Sequence, residues 1–65
     1  MLSEHDVIET TMNIFRDGHY IPEYSSGVVV HVYKEGEAYE VEFPNIKNNP
    51  VILCNDNEIE EAVNE

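Results

Sequence analysis

The segment Gly27-Val28-Val29-Val30-His31-Val32-Tyr33, then Lys34-Glu35-Gly36-Glu37, then Ala38-Tyr39-Glu40-Val41-Glu42-Phe43, decides the fold class. Its first part is β-branched and aromatic, a composition suited to a pleated, half-buried strand. Gly36 supplies the positive φ of a tight turn. The last part alternates apolar and polar residues, as a strand with one buried face does. The whole reads as a β-hairpin over 27–43. With Glu35 and Gly36 as a two-residue loop, Val32 faces Tyr39, Val30 faces Val41 and Val28 faces Phe43 on one side. The other side pairs Tyr33 with Ala38, His31 with Glu40 and Val29 with Glu42. A slip of one residue would set Glu40 and Glu42 against the valine row and bury carboxylates. That register is therefore rejected.

Outward from the hairpin, the elements follow from the same rules. Pro50-Val51-Ile52-Leu53-Cys54 is a short apolar run after the turn-rich Asn45-Ile46-Lys47-Asn48-Asn49, and reads as a third strand with Pro50 at its start or on an edge. Asn55-Asp56-Asn57 is expected to cap a short C-terminal helical turn through Glu58-Ile59-Glu60-Glu61-Ala62. Residues 5–15 fit two patterns: Ile8, Thr10, Met12 and Ile14 alternate as in a strand, whereas Val7, Ile8, Met12 and Phe15 would line a helix capped by Ser3. Strand is the expectation, because a lone hairpin needs further strands to cover its apolar face. Arg16 to Ser26, with Gly18, Pro22 and Ser25-Ser26, reads as a loop.

Sixty-five residues make a single small domain spanning 1–65, near the lower limit for folding without staples. Cys54 is the only cysteine, which fits a reducing, cytoplasmic setting and excludes an internal disulfide. The three histidines and Cys54 sit at no metal-ligand spacing, so no metal or other cofactor is expected. The N-terminus lacks the basic and apolar blocks of a signal peptide, and no run is long enough to span a membrane.

Charge is the dominant compositional fact. Fourteen carboxylates face Arg16, Lys34 and Lys47, for a formal charge of −11. Nucleic-acid binding depends on Lys and Arg neutralising phosphates, so direct contact with DNA, RNA or anionic lipid is not expected. A basic protein surface is the natural complement.

Four stretches occur in a telling order: His5-Asp6-Val7-Ile8, Tyr20-Ile21-Pro22, Gly27-Val28-Val29-Val30-His31-Val32-Tyr33 and Glu37-Ala38-Tyr39-Glu40-Val41-Glu42-Phe43. In this the chain resembles the bacterial domain-of-unknown-function 4926 family of small proteins. The resemblance covers about two thirds of the chain, and its hairpin motif is the most specific part. It implies a mostly β fold, a small SH3-like, partly open barrel, and it favours strand over helix for residues 6–14. Glu23-Tyr24-Ser25-Ser26 departs from the Lys- or Thr-rich loop such proteins often carry, and the acidic tail is also atypical. No catalytic residues come with the resemblance. It implies an antitoxin-like companion of a neighbouring protein.

No phosphate loop, dinucleotide fingerprint, zinc spacing or nucleophile elbow is present. Cys54 inside an apolar strand reads as core packing. His31 and Glu40, opposed across the hairpin, would contribute about 0.2–1 kcal/mol as a cross-strand pair, on a face too flat to exclude water for catalysis. The expected contact surface is Val29, His31, Tyr33, Glu40 and Glu42. Tyr20, Tyr24 and the acidic tail of Asp56, Glu58, Glu60, Glu61 and Glu65 are secondary candidates. The expected function is a non-catalytic interaction module, antitoxin-like or inhibitor-like, that binds and modulates a basic protein such as a toxin or a nucleic-acid-binding enzyme. The alternative is a nucleic-acid mimic that inhibits a nuclease or a CRISPR-type effector. A homo-oligomer through an exposed strand edge is a further expectation.

Overall fold

The computed structural model describes residues 1–62. Seven strands form: β1 (Val7–Thr10), β2 (Ile14–Arg16), β3 (His19–Ile21), β4 (Ser26–Tyr33), β5 (Ala38–Glu42), β6 (Val51–Asn55) and β7 (Ile59–Glu61). A single 3-10 turn, Asp56–Glu58, separates the last two. Five strands make one antiparallel sheet in the order β6-β5-β4-β1-β7, while β2 and β3 pair only with each other. The order is linear, with β6 and β7 at its two ends. The fold is mostly β, as expected, and the sheet is not closed.

The core lies between the sheet and the β2–β3 arm. Ile8, Val29, Tyr39, Val41, Phe43, Ile52, Cys54 and Ile59 come from the sheet side, and Ile14 and Ile21 come from the arm. Thr10 is buried among them without an unmet hydrogen bond. Its hydroxyl donates to the Pro22 carbonyl at 2.8 Å and accepts from the Ser25 amide at 2.9 Å, which pins the 22–25 loop to β1.

Four expectations change. The hairpin keeps the pairs Val32–Tyr39, Tyr33–Ala38 and His31–Glu40, but strand pairing stops at Tyr33 and Ala38. Lys34, Glu35 and Gly36 all take positive φ, and the connection is four residues long rather than two. Beyond His31 a β-bulge intervenes, and Val29, not Val30, pairs with Val41. Its cause is a conflict of parity. On one side β4 must match β1, where buried Ile8 lies opposite Gly27; on the other it must match β5, where Tyr39 and Val41 are buried. The two demands differ by one residue, and one extra residue at Val30 reconciles them. Gly27 is required there because a Cβ would lie 2.6 Å from Val41 Cγ1 and 3.0 Å from the Glu42 carbonyl.

The third correction concerns residues 16–26, which contain β3 rather than being all loop. Asp17 (φ 54°) and Gly18 (φ 77°) make a two-residue turn between the paired residues Arg16 and His19. The fourth is the tail, where the helical turn is only Asp56–Glu58 and Ile59–Glu61 is a strand on β1. Ile59 buries opposite Thr10, a long-range contact that overrides the local helical pattern. The strand expected within 5–15 forms as β1 and β2, interrupted at 11–13, and the third strand forms as β6.

Candidate functional site

The outer face of β4, β5 and β6 is a lattice fixed by register. Tyr33, Ala38 and Asn55 form one row; His31, Glu40 and Leu53 the next; Val28, Glu42 and Val51 the third. Val7 on β1 extends the third row beside Val28. Directly opposed residues in antiparallel strands share a face, so each row is a line of neighbouring side chains. The two glutamates thus occupy the central strand, flanked by exposed apolar groups on β6 (Val51, Leu53) and by Tyr33 and His31 on β4.

Local contacts hold this surface in shape. The Tyr33 hydroxyl donates to Glu40 Oε1, and that bond to a carboxylate holds the Tyr33 phenol above its ordinary pKa. The His31 and Tyr33 rings meet edge to face, centroids 4.4 Å apart and planes at 71°. His31 Nδ1 lies 3.9 Å from Glu4 Oε2. Next to this lattice runs a shallow groove of about 540 Å³, lined by Tyr33, Glu37, Glu40, Val51 and Leu53 and overhung by Asp17 from the arm's turn.

Asp17 is delivered there by an ion pair. Arg16 donates from Nη1 and Nη2 to the two carboxylate oxygens of Glu58, each at 2.9 Å, and Nη1 also donates to the Leu53 carbonyl at 2.6 Å. Glu58 Oε1 in turn accepts the Asn55 amide at 2.7 Å. The Arg16 hydrogen bond holds the Glu58 carboxyl below its ordinary pKa, and Glu58 raises that of Arg16. This paired fork ties arm, 3-10 turn and the edge of β6 together.

The structure brings His31, Tyr33, Glu40 and Glu42 onto one face. Val29 is not among them: it is fully buried, because the bulge turns it into the core. Tyr20 and Tyr24 are exposed, yet they sit on the arm and its following loop, away from the lattice. Of the tail carboxylates, Glu58 is committed to Arg16, Glu60 lies opposite Glu9, and Glu65 falls outside the described residues. Sequence reasoning missed Val51 and Leu53 as surface groups, because Val51-Ile52-Leu53-Cys54 is apolar throughout and carries no alternation to separate outward from inward residues. It also missed Phe15, the most exposed aromatic at 77%.

Among the described residues, no three His, Cys, Asp or Glu side chains converge as a metal site would require, and no helix is long and apolar enough to cross a membrane. No family model, curated protein or solved structure matches the chain.

Proposed function

We propose that this chain is a non-catalytic interaction module that docks the outer face of β4, β5 and β6 on a basic protein and modulates it, as an antitoxin or small inhibitor does. The observation that carries the reading is the lattice itself, with Glu40 and Glu42 set between exposed Val51, Leu53 and Tyr33. Carboxylates there attract Lys and Arg from a distance, and the apolar neighbours supply area to desolvate once contact is made. The reading also takes the fold as SH3-like, in keeping with the family resemblance. What supports it is the strand order, with the last strand following a 3-10 turn and pairing with the first. A cytoplasmic setting accords with the unpaired, buried Cys54.

Nucleic-acid mimicry is the second reading, and one pairing favours it. Glu9 and Glu60 lie directly opposite each other on β1 and β7. Like charges so placed cost stability, a cost that a phosphate-like row of carboxylates would justify.

The test is capture from host extract by the tagged chain and by Glu40→Lys/Glu42→Lys, at low and at moderate salt. A basic protein retained by the wild type at low salt and lost by the variant is the expected result. Equal capture by both sinks the docking face. Competition by DNA or RNA for the captured protein selects the mimic reading.

A further inference from the structure

We infer that the groove beside Glu40 receives one arginine side chain of the basic partner, an inference that rests on the docking reading of this face. The groove crosses the row Tyr33, Ala38 and Asn55, from the β4–β5 connection to the outer edge of β6. Ala38, Val51, Leu53 and the Tyr33 ring give it apolar walls. Asp17, Glu37 and Glu40 line the same space with carboxylates.

The state of those carboxylates identifies the occupant. Among the described residues the ion pairs are Arg16–Glu58 and the contact of His31 with Glu4, so none of the three in the groove is ion-paired. Arg16, next to Asp17, is taken up by Glu58 and the Leu53 carbonyl. Lys34 also lines the groove and offsets only one of the three charges. A cation on an apolar stem therefore complements both the walls and the remaining charge.

Arginine meets this chemistry better than lysine does. Its planar guanidinium stacks on an aromatic ring and forks onto a carboxylate, while its stem covers Val51 and Leu53. Glu40 Oε1 accepts the Tyr33 hydroxyl, which leaves Oε2 for the incoming donor. A space of about 540 Å³ is ample for one side chain.

The groove is also ordered before anything enters it. The Arg16 fork holds Asp17 at the rim, and the Glu40 bond and the His31 ring hold Tyr33 in place. Little motion remains to be lost on binding. The two central glutamates are thereby given different tasks. Glu40 lines the groove, whereas Glu42, one row away, does not.

The probe is a short blocked peptide of glycines flanking one arginine, with lysine and citrulline counterparts. Each is titrated into the full chain at low salt while amide shifts are followed by NMR. With arginine, saturable shifts are expected at Asp17, Tyr33, Glu37, Glu40 and Leu53. Lysine should bind at least about threefold more weakly, and citrulline should not saturate. Asp17→Asn/Glu37→Gln should weaken arginine binding at least about threefold with the urea midpoint unchanged. Arginine that does not saturate overturns the inference, as does lysine or citrulline binding equally well, or shifts centred on Glu9 or Glu42. Capture from extract separates this from the docking reading. A partner lost by Glu40→Lys/Glu42→Lys but fully held by Asp17→Asn/Glu37→Gln keeps the face and removes the groove. Equal capture by both variants and the wild type removes both.

Discussion

The outer face of the sheet and the outer face of the arm are both exposed β surface on one small molecule, built by opposite rules. The sheet face is wide, rigidly registered over three strands, and mixes carboxylates with aliphatic groups. The arm face is narrow, electrically neutral as a segment and aromatic. The first draws its order from long-range pairing over the main core. The second draws it from two buried isoleucines and one ion pair. The smaller surface is stapled to the larger, and Arg16–Glu58 is that staple.

The strongest way to break the comparison is to remove the sheet's own order. Gly27→Ala puts a methyl group within 3.0 Å of Val41 and Phe43 side-chain atoms and the Glu42 carbonyl. It should cost about 2–3 kcal/mol by urea denaturation, as overpacking does, and both surfaces should be lost together. A near-neutral result would mean the close approach of β4 and β5 is not needed.

Next in size is the staple. Glu58→Ala leaves Arg16 with the Leu53 carbonyl alone and takes the Glu58 acceptor from the Asn55 amide, and should cost roughly 2 kcal/mol. Amide exchange should rise in residues 14–21 more than in β5. The pH dependence follows from the sign of the shift. Glu58 titrates below the ordinary glutamate range when folded, so its contribution is whole above that range and is lost as pH falls through the lowered value. Urea midpoints of Glu58→Gln should fall less steeply on acidification than those of the wild type. Parallel acid limbs would remove Glu58 from the account.

Surface changes should do least to stability and most to binding. Glu40→Lys/Glu42→Lys should alter unfolding free energy by under about 1 kcal/mol while lowering affinity for a basic partner at least about tenfold. The smallest stability effect, within about 0.5 kcal/mol, is expected for Phe15→Ser/Tyr20→Ser, which should leave capture of a basic partner intact. Salt sharpens the contrast further: capture of a basic partner through the sheet face should weaken with added salt, and Phe15→Ser/Tyr20→Ser should leave that salt dependence unchanged. An altered salt dependence in that variant would mean the surfaces are not distinct.

Much of the fold was readable from residue pattern alone, and the failures share a physical origin. Alternation over Ala38–Phe43 placed Tyr39, Val41 and Phe43 inward correctly, and with them Glu40 and Glu42 outward. The valine run 28–30 carries no such information, because three identical side chains fit either parity. Only the partner strands on both sides determine the bulge, and that is why Val29 was assigned to the wrong face. The arm was different, since Asp17-Gly18 between Phe15-Arg16 and His19-Tyr20-Ile21 is a strong local hairpin signal. Pro22 and Ser25-Ser26, turn formers close behind Gly18, make the whole of 16–26 resemble one loop and mask it. Residues 59–61 misled for a third reason: their acidic, helix-tolerant composition is overruled by pairing with β1, which no local rule reports. The face residues His31, Tyr33, Glu40 and Glu42 were legible, whereas their apolar neighbours on β6 required the third strand's register.

Cys54 lies wholly inside the core, next to the strand edge that Arg16 covers, and burial pushes its thiol pKa up to about 11. A thiol so placed stays protonated and out of reach of alkylating reagents while β6 remains docked. Where reclosing outpaces alkylation, the rate of modification reports the fraction of molecules in which that strand has lifted away. The molecule thereby carries, in its sole sulfhydryl, an intrinsic gauge of how much of its population stands open.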